Sequence, residues 1–319
     1  WGNVASAVML LPLLLVRDAG DVWIIWVVAV LYGFSFIVLP AGLNGLLKEM
    51  LPEELLVDAN ASMQTVKEGF RLIGPLIGAG LFALTDGWAV VAVDAASFLV
   101  AAALIAAIRL AEVKPEHEPQ HWLAEMTAGV RHLIHDEVLR PVMIAFGATL
   151  LTLGFSEASI YAILDAFDKP VEFAGVVVTV QGVGAVIGGL TCSRLIKRFG
   201  EPVSFALGLG LMAASFLVVV VAQSIPLMLA GVVVLGYALA LMFVAYTTLV
   251  QIRTPQAIMG RVSTALEVVL GTPQAISIAV GSLLVSVLSF RTIFAIMAAT
   301  TALAALYLVS RSPRRLLAE

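Results

Sequence analysis

Three ionisable residues, Lys67, Glu68 and Arg71, lie inside an apolar run that extends from about residue 58 to residue 84. At ~1.5 Å per residue, Arg71 is roughly 20 Å from the start of this run, near the middle of a bilayer that the run would cross. An ionisable group there costs roughly 2.5–3.5 kcal/mol on insertion scales, so these side chains should not face lipid. Five residues follow the spacing i, i+4, i+7, i+11 and i+15, which places them on one helical face: Asn60, Gln64, Lys67, Arg71 and Pro75.

Two interpretations of this polar face remain open. In the first, Glu68 and Arg71 form a structural ion pair that fixes two halves of the protein together. In the second, the side chains of Gln64, Lys67, Glu68 and Arg71 line a cavity in which a ligand binds.

Two further acids lie in other apolar runs. Glu157 shares a helical face with Tyr161, four residues on, and has no cation within one turn. Glu267 lies about 9 Å along its run from Arg261 and shares a face with Gln274. A lone acid in a membrane span is a functional candidate, because burial disfavours its charged form and helps it to exchange a proton. For Glu157 the alternative is a position at the outer mouth, in contact with water.

The composition of the chain excludes a water-soluble protein. Of its 319 residues, 61% are hydrophobic and 13% are charged, and the mean hydropathy is +1.04. A soluble domain carries roughly 25% charged residues. The net charge of −4 offers no basic surface for nucleic acid, and the single cysteine, Cys192, cannot form an internal disulfide. We therefore expect an integral membrane protein.

Ten apolar runs are long enough, or nearly so, to cross a hydrocarbon core of about 30 Å. Their approximate limits are 3–16, 22–48, 58–84, 87–108, 141–164, 171–195, 203–222, 226–250, 262–288 and 290–310. With this count, the connections on one side carry 13 Lys and Arg residues and those on the other side carry three. Because positive charge marks the cytoplasmic side, we predict a multi-pass protein of the plasma membrane with a cytoplasmic C-terminus.

The polar stretch between the fourth and fifth runs contains all four histidines: His117, His121, His132 and His135. No cysteine lies nearby and the acids around them are typical of a solvated segment, so we predict no metal site. Six apolar residues fall on one side of a helix from about 121 to 135: Trp122, Leu123, Met126, Val130, Leu133 and Ile134. This pattern predicts an amphipathic helix that lies on the inner leaflet.

The chain also repeats itself at an offset of 203 residues. The offset pairs Gly33 with Gly236, Pro52 with Pro255, and Gly78 with Gly281, and it keeps four consecutive spans in register. The spans 141–164 and 171–195 have no partners under this shift. A 6+6 protein whose first two spans are absent explains this better than a 5+5 arrangement, whose repeat would be shorter. We predict four spans in 1–110, a cytoplasmic loop in 111–140 and six spans in 141–319.

Several short motifs carry a resemblance to a known family. They read LPEELLVDANA at 51–61, RLIGPLIGAG at 71–80, VDAASF at 93–98 and TPQAIMGRV at 254–262. Together they resemble the major facilitator superfamily, in the branch of enterobactin exporters and macrolide efflux pumps. The resemblance implies an all-α membrane protein of the major facilitator fold, with ten of twelve transmembrane helices present and the first two missing.

Two family motifs can be carried over onto this sequence. The segment 189–198 is similar to the family's gating loop, which it matches at Gly189, Arg194, Lys197 and Arg198, while Ser193 replaces the family's Asp. The segment 74–79 resembles the antiporter motif, which it matches at Gly74, Pro75 and Gly78. The arginine that many proton antiporters carry in the fourth helix is absent, because 22–47 contains no Arg or Lys.

The resemblance implies a monomeric secondary active exporter of a small amphipathic compound, driven by the proton gradient and working by the rocking of two six-helix halves. An importer of the same fold and a non-transporting receptor or scaffold are the alternatives. We expect no catalytic residues, bound cofactor or nucleotide site, because the sequence lacks hydrolase, metalloprotease and Walker motifs. Glu267 or Glu157 is the candidate proton carrier, and Lys67 and Arg71 are candidates to bind anionic parts of the substrate.

Overall fold

The computed structural model describes residues 1–85, 87–108 and 122–311, and in these residues the secondary structure is entirely helical. The α-helices are α1 (Gly2–Leu10), α2 (Val22–Met50), α3 (Glu53–Thr85), α4 (Gly87–Ala107), α5 (Trp122–His135), α6 (Leu139–Ala166), α7 (Ala174–Phe199), α8 (Glu201–Val221), α9 (Ile225–Arg253), α10 (Met259–Leu284) and α11 (Phe290–Arg311).

A helix lies on each of the ten predicted spans. Within the described residues, seven are long and apolar enough to cross a membrane: α4 and α6–α11. The helix α3 begins at Glu53, five residues before the predicted start. Pro52 precedes it and two acids, Glu53 and Glu54, occupy its first turn, where they interact favourably with the positive end of the helix dipole.

The first predicted span, 3–16, is not one continuous α-helix. The α-helix α1 has only nine residues and is followed by a 3-10 segment, Leu11–Leu15. Pro12 lies at the start of that segment, and its missing N–H and fixed φ end the α-helical ladder. At ~1.5 Å per residue α1 is about 14 Å long, which is less than half the thickness of a hydrocarbon core.

The 203-residue offset relates the helix boundaries of the two parts of the chain. Shifted by 203, α2 coincides with α9 at both ends, and α4 coincides with α11 to within one residue. The shifted α3 begins at the 3-10 segment Gln256–Ile258, which leads into α10. The helices α2, α3 and α4 are therefore equivalent in order and approximate length to α9, α10 and α11. The division of the chain at 110 and 140 stays a prediction.

The packing is uneven between the first set of helices, α1–α4, and the second set, α6–α11. One large cluster of buried apolar residues joins α6–α11 and includes Val57 and Ala61 of α3. Phe146 lies in it, in edge-to-face contact with the rings of Phe205 and Tyr246. A much smaller cluster joins α1, α2 and α4. Of the most apolar window of α4, 11% of residues are buried, against 56% for α9.

Glycine allows the close crossing of α7 and α9. A Cβ added at Gly184 would overlap the backbone of Val233, and one at Gly236 would overlap the carbonyl oxygen of Gln181. The backbones of α7 and α9 therefore touch. Gly74 and Gly78 of α3 make no such contact, because no described atom lies within 4 Å of a Cβ added at either position.

The amphipathic segment forms α5, but its apolar residues do not share one environment. Gly129 lies against the backbone of Arg261 and Leu133 is buried, so this face of α5 packs on the start of α10. Ile134 is 53% exposed. The prediction that Leu133 and Ile134 lie on one lipid-facing side is therefore wrong, because α10 covers the Leu133 side. His117 and His121 lie outside the described residues.

Candidate functional site

The first four helices meet the last six mainly where α2 and α3 approach α7, α9 and α10. The helix α3 runs antiparallel to α7, since Thr65 lies against Gly189 and Leu72 lies against Gly182. The glycines bring the two helices close together. This contact aligns the polar face of α3 with α7 and α9.

At one end of this contact the side chains of α2 and α3 bind the end of α9. Lys48 Nζ donates to the carbonyl oxygens of Gln251 and Thr254. Asn60, which is buried, donates to Thr248 Oγ1 at 2.9 Å and to Gln251 Oε1 at 2.6 Å. A cation at the C-terminal end of a helix satisfies its free carbonyls and opposes its dipole. We call Lys48, Asn60, Thr248, Gln251 and Thr254 the end contact.

The segment predicted as a gating loop is helical. The helix α7 continues to Phe199, so Gly189, Arg194, Lys197 and Arg198 lie on its last turns. Lys197 forms an ion pair with Asp58 of α3, beside the end contact. The helical form follows from good helix formers between residues 194 and 198 and from Gly200, whose φ of 78° ends the helix.

Halfway along α3, a buried carboxylate is held by its neighbours. The Glu68 side chain is 7% exposed and accepts hydrogen bonds from Gln64 Nε2 at 3.1 Å and from Arg71 Nη1 at 3.3 Å. The Arg71 side chain is 46% exposed and also donates to Gln181 Oε1 of α7 at 3.5 Å. Glu68 and Arg71 therefore form an ion pair that bridges α3 and α7, and the outer side of Arg71 stays accessible.

One turn before Arg71, Lys67 points towards the other set of helices. Its Nζ lies over the ring of Phe243 on α9, 5.9 Å from the centroid. Lys67 and Glu267 of α10 are both exposed and lie close enough to interact electrostatically. Glu267 also interacts with Tyr246, whose buried hydroxyl has no hydrogen-bond partner among the described residues. An acid, a cation and two aromatic rings thus lie near one another where α3, α9 and α10 approach.

Sequence reasoning missed three of these residues, Gln181, Phe243 and Tyr246. Gln181 is an amide among apolar residues of α7, and Phe243 and Tyr246 are aromatic residues of α9, so no periodic pattern distinguished them from the core. For Gln181 the available signal was the cost of a lone amide in a span, which applies to any such residue.

Other predicted site residues make no hydrogen bond or ion pair with these side chains among the described residues. Glu157 and Tyr161 are both exposed on α6, and the Glu157 carboxylate has no hydrogen bond or ion pair with any described residue. Gln274 is half-buried on α10, next to Pro273 inside the helix. The structure therefore joins Gln64, Glu68 and Arg71 by hydrogen bonds and brings Lys67 near Glu267, while the roles of the other three stay predictions.

The antiporter-like segment forms the second half of α3. Pro75 lies inside the helix and has no N–H to donate to the carbonyl of Arg71, four residues before it. Gly74 and Gly78 border an open surface, as described above. The backbone oxygen of Arg71 is therefore free of its usual helical partner, immediately beside the ion pair with Glu68.

Over the described ranges, no three His, Cys, Asp or Glu side chains come together in a group that could hold a metal ion. The chemistry that these side chains can offer is the binding of charged and aromatic groups.

Comparison with known families gives a match over the second part of the chain. The family model described as Major Facilitator Superfamily matches residues 143–318, which is more than half of the sequence and includes most of α6 and all of α7–α11.

Two curated relatives are similar over more of the chain. The multidrug efflux pump Tap of Mycobacterium tuberculosis is 25% identical over 267 residues, which cover 81% of this chain and 63% of the pump. The enterobactin exporter EntS of Shigella flexneri is 28% identical over 222 residues, which cover 67% of this chain and 50% of the exporter. The chain thus spans 63% of the length of the pump and 50% of the length of the exporter, which is less than two thirds in both cases.

Among solved structures, a bacterial homologue of the iron transporter ferroportin in an outward-facing state matches with a TM-score of 0.78. The match covers 98% of this chain and 82% of that one, at 15% identity. At this identity the match shows the fold alone. It extends the likeness from the last six helices to the whole chain.

Proposed function

The chain belongs to the major facilitator superfamily, and from this premise we propose that the protein is a secondary active transporter that exports a small amphipathic compound across the plasma membrane. The observation that carries the proposal is the contact of Lys67 on α3 with the ring of Phe243 on α9, with both Lys67 and the nearby Glu267 of α10 exposed. Lys67 and Glu267 come from the two sets of repeat-related helices, so a ligand bound between them contacts both sets at once.

The distribution of contacts supports alternating access. The end contact and the ion pair of Asp58 with Lys197 join the two sets at the end that is rich in Lys and Arg. Lys67 and Glu267 are exposed further along the same helices. We propose that this arrangement is a state closed towards the cytoplasm, and that breaking the end contact opens the site to that side.

The charge distribution supports the orientation. The 13 Lys and Arg residues of one set of connections against three of the other support a cytoplasmic C-terminus by the positive-inside rule. We propose that the membrane in which this orientation applies is the plasma membrane.

We propose that transport is coupled to the proton gradient through Glu267. Inside the membrane a carboxylate is stable when it is either paired with a cation or protonated. Lys67 stabilises the ionised carboxylate in the empty site, and a cationic group of the substrate would compete with a proton for the same carboxylate. Protonation of Glu267 therefore favours substrate release, which exchanges substrate for protons as an exporter requires.

The direction of transport rests on the relatives, one of which is described as an efflux pump and another as an exporter. An importer of the same fold would use the same site but would bind the substrate from the outside and release it into the cytoplasm. A receptor or scaffold would bind the ligand but would not move it.

A vesicle assay separates these three functions. The protein, expressed from its complete gene, is tested in inverted and in right-side-out membrane vesicles with ethidium and with anionic carboxyfluorescein as probes. Uphill uptake into inverted vesicles that an uncoupler abolishes identifies an exporter, and uphill uptake into right-side-out vesicles identifies an importer. Binding of a probe without uphill movement in either orientation would contradict transport. Vesicles carrying the variant K67Q/E267Q are the matched control.

A further inference from the structure

A polar cavity lies apart from the side chains of Lys67 and Glu267. It has a volume of about 320 Å³ and is formed where the end of α5, the start of α6 and the end of α11 meet. Arg140 and Arg311 contribute two guanidinium groups to its wall, and His135 contributes an imidazole. None of these residues belongs to the proposed transport site.

The acids of this cavity are engaged with other groups. Asp136 Oδ1 accepts hydrogen bonds from the backbone N–H groups of Val138 and Leu139 and so caps the start of α6. Asp136 Oδ2 lies 3.8 Å from Arg253. Glu137 also has a partner of its own. Neither carboxylate therefore neutralises the arginines of the cavity.

The arginines are free to bind an anion. Among the described residues, the Arg140 side chain has no hydrogen bond or ion pair, and that of Arg311 only stacks on the Tyr307 ring, 5.6 Å from its centroid. Both side chains are exposed at the cavity. A guanidinium presents a planar fork of N–H donors that matches the oxygens of a phosphate group.

The position of the cavity indicates which phosphate it meets. Arg140 lies in the first turn of α6 and Arg311 is the last residue of α11, and both helices are long and apolar enough to cross the membrane. The cavity is thus at the level where a spanning helix passes from hydrocarbon to water. Ile134, 53% exposed, and the ring of Tyr307 line the same cavity and offer apolar surface next to the charges. A phospholipid presents this combination of an anionic phosphate beside an apolar glycerol and acyl region.

We propose that this cavity binds the headgroup of an anionic phospholipid. The phosphate lies between Arg140 and Arg311, and the part of an acyl chain next to the glycerol lies against Ile134. Basic pockets between the ends of membrane helices bind anionic headgroups because charge attraction and burial of the lipid act together. A lipid held here links α5 and α6 to α11. This site is independent of the transport proposal and would exist in a non-transporting protein.

The test measures lipid binding directly. The purified chain in a neutral detergent is titrated with palmitoyl-oleoyl-phosphatidylglycerol, and bound lipid is counted by native mass spectrometry. The variant R140Q/R311Q is expected to bind this lipid at least about fivefold more weakly. The control R17Q/K169Q removes the same charge from the opposite set of connections and is expected to bind normally. Equal binding by R140Q/R311Q and the original chain would overturn the proposal.

Three further arms identify the ligand and exclude misfolding. Phosphatidylcholine, which carries no net charge, is expected to bind weakly, and equal binding of both lipids would overturn the anionic assignment. Millimolar inorganic phosphate is expected to leave the lipid bound, and complete displacement would assign the cavity to a soluble phosphate instead. The variant R140K/R311K keeps both charges and is expected to retain most of the binding, whereas a loss equal to that of R140Q/R311Q would contradict a charge-based site.

Discussion

Lys48 donates a hydrogen bond to the carbonyl oxygen of Gln251, and the two residues are 203 positions apart in the chain. This is the offset that superposes α2 on α9, so Lys48 and Gln251 are equivalent positions of the repeat. Equivalent positions can touch only close to the axis that relates the two sets of helices. The ends of α2 and α9 therefore lie close to that axis, and a movement that separates the two sets of helices at this end must break the end contact.

Removal of the Lys48 charge should open this end of the protein. In Lys48→Gln the carbonyl groups of Gln251 and Thr254 lose their cationic partner, and the negative end of the α9 dipole is left uncompensated. Spin labels at Glu49 and Ala257, both exposed, should show a longer mean distance than in the parent protein. The same labels in an Arg17→Gln background should show no change. An unaltered distance distribution in Lys48→Gln would contradict the role of the end contact.

The ion pair in the middle of α3 should respond asymmetrically to neutralisation. In Arg71→Gln the buried carboxylate of Glu68 loses its cation, which costs up to about 3–5 kcal/mol for a fully buried pair and less here because Arg71 is half-exposed. In Glu68→Gln the exposed side of Arg71 still meets water, so the loss of stability should be smaller. Equilibrium unfolding in mixed micelles measures both. A larger loss of stability in Glu68→Gln than in Arg71→Gln would contradict the expected cost of leaving the buried carboxylate without its cation.

Of the two candidate proton carriers, Glu267 should be the one that couples transport. Glu267 interacts with Lys67 and Tyr246, whereas Glu157 has no partner among the described residues. In the transporter expressed from its complete gene, Glu267→Gln should abolish the pH dependence of uphill transport, while Glu157→Gln should keep it. Transport by inverted vesicles at a series of pH values measures this. If both variants behave like the parent, both acids are structural and the coupling site lies elsewhere.

The crossing of α7 and α9 should not tolerate a methyl group. In Gly236→Ala the new Cβ overlaps the backbone at Gln181, and the adjustment that this requires should cost about 1–3 kcal/mol. The control is Gly210→Ala on α8, where no described atom lies within 4 Å of the added Cβ. This variant should be neutral, or more stable by up to about 1 kcal/mol, because alanine favours a helix. Thermal denaturation distinguishes the two, and equal stability would contradict the close crossing.

The proposed orientation can be tested with single cysteines. The native Cys192 is buried, so Cys192→Ala provides an unreactive background. In this background Lys169→Cys should react with an impermeant maleimide from outside intact cells, and Arg194→Cys should react only after permeabilisation. Both positions are exposed. The reverse pattern would place the C-terminus outside and overturn the charge-based assignment.

Much of the helical architecture could be predicted from the sequence, because the length of an apolar run decides whether it can cross a membrane. The prediction failed where local backbone chemistry decided the structure. Pro12 ends α1 inside an uninterrupted apolar run, and the run 189–198 stays helical although the family motif suggested a loop.

The site was predictable only in part. The spacing of Glu68 and Arg71 was sufficient to place them in contact on one helix. The neighbours on other helices were not predictable in this way: Gln181, the partner of Arg71, and Phe243, the partner of Lys67, lie more than 100 residues away along the chain. Which helices face each other depends on packing, for example at Gly182 and Gly189, and a single sequence does not specify such long-range pairings.

The unequal burial of α4 and α9 has a mechanical consequence. A chain pulled out of the bilayer by its N-terminal end would first release α1 and the start of α2, which are anchored by a small apolar cluster. Resistance would rise when the pull reaches α3, because Val57, Asn60 and Asp58 tie this helix to the second set. Pulled from α11 instead, the chain would meet its strongest resistance at once. The force needed to extract this protein from the bilayer should thus depend on the end that is pulled.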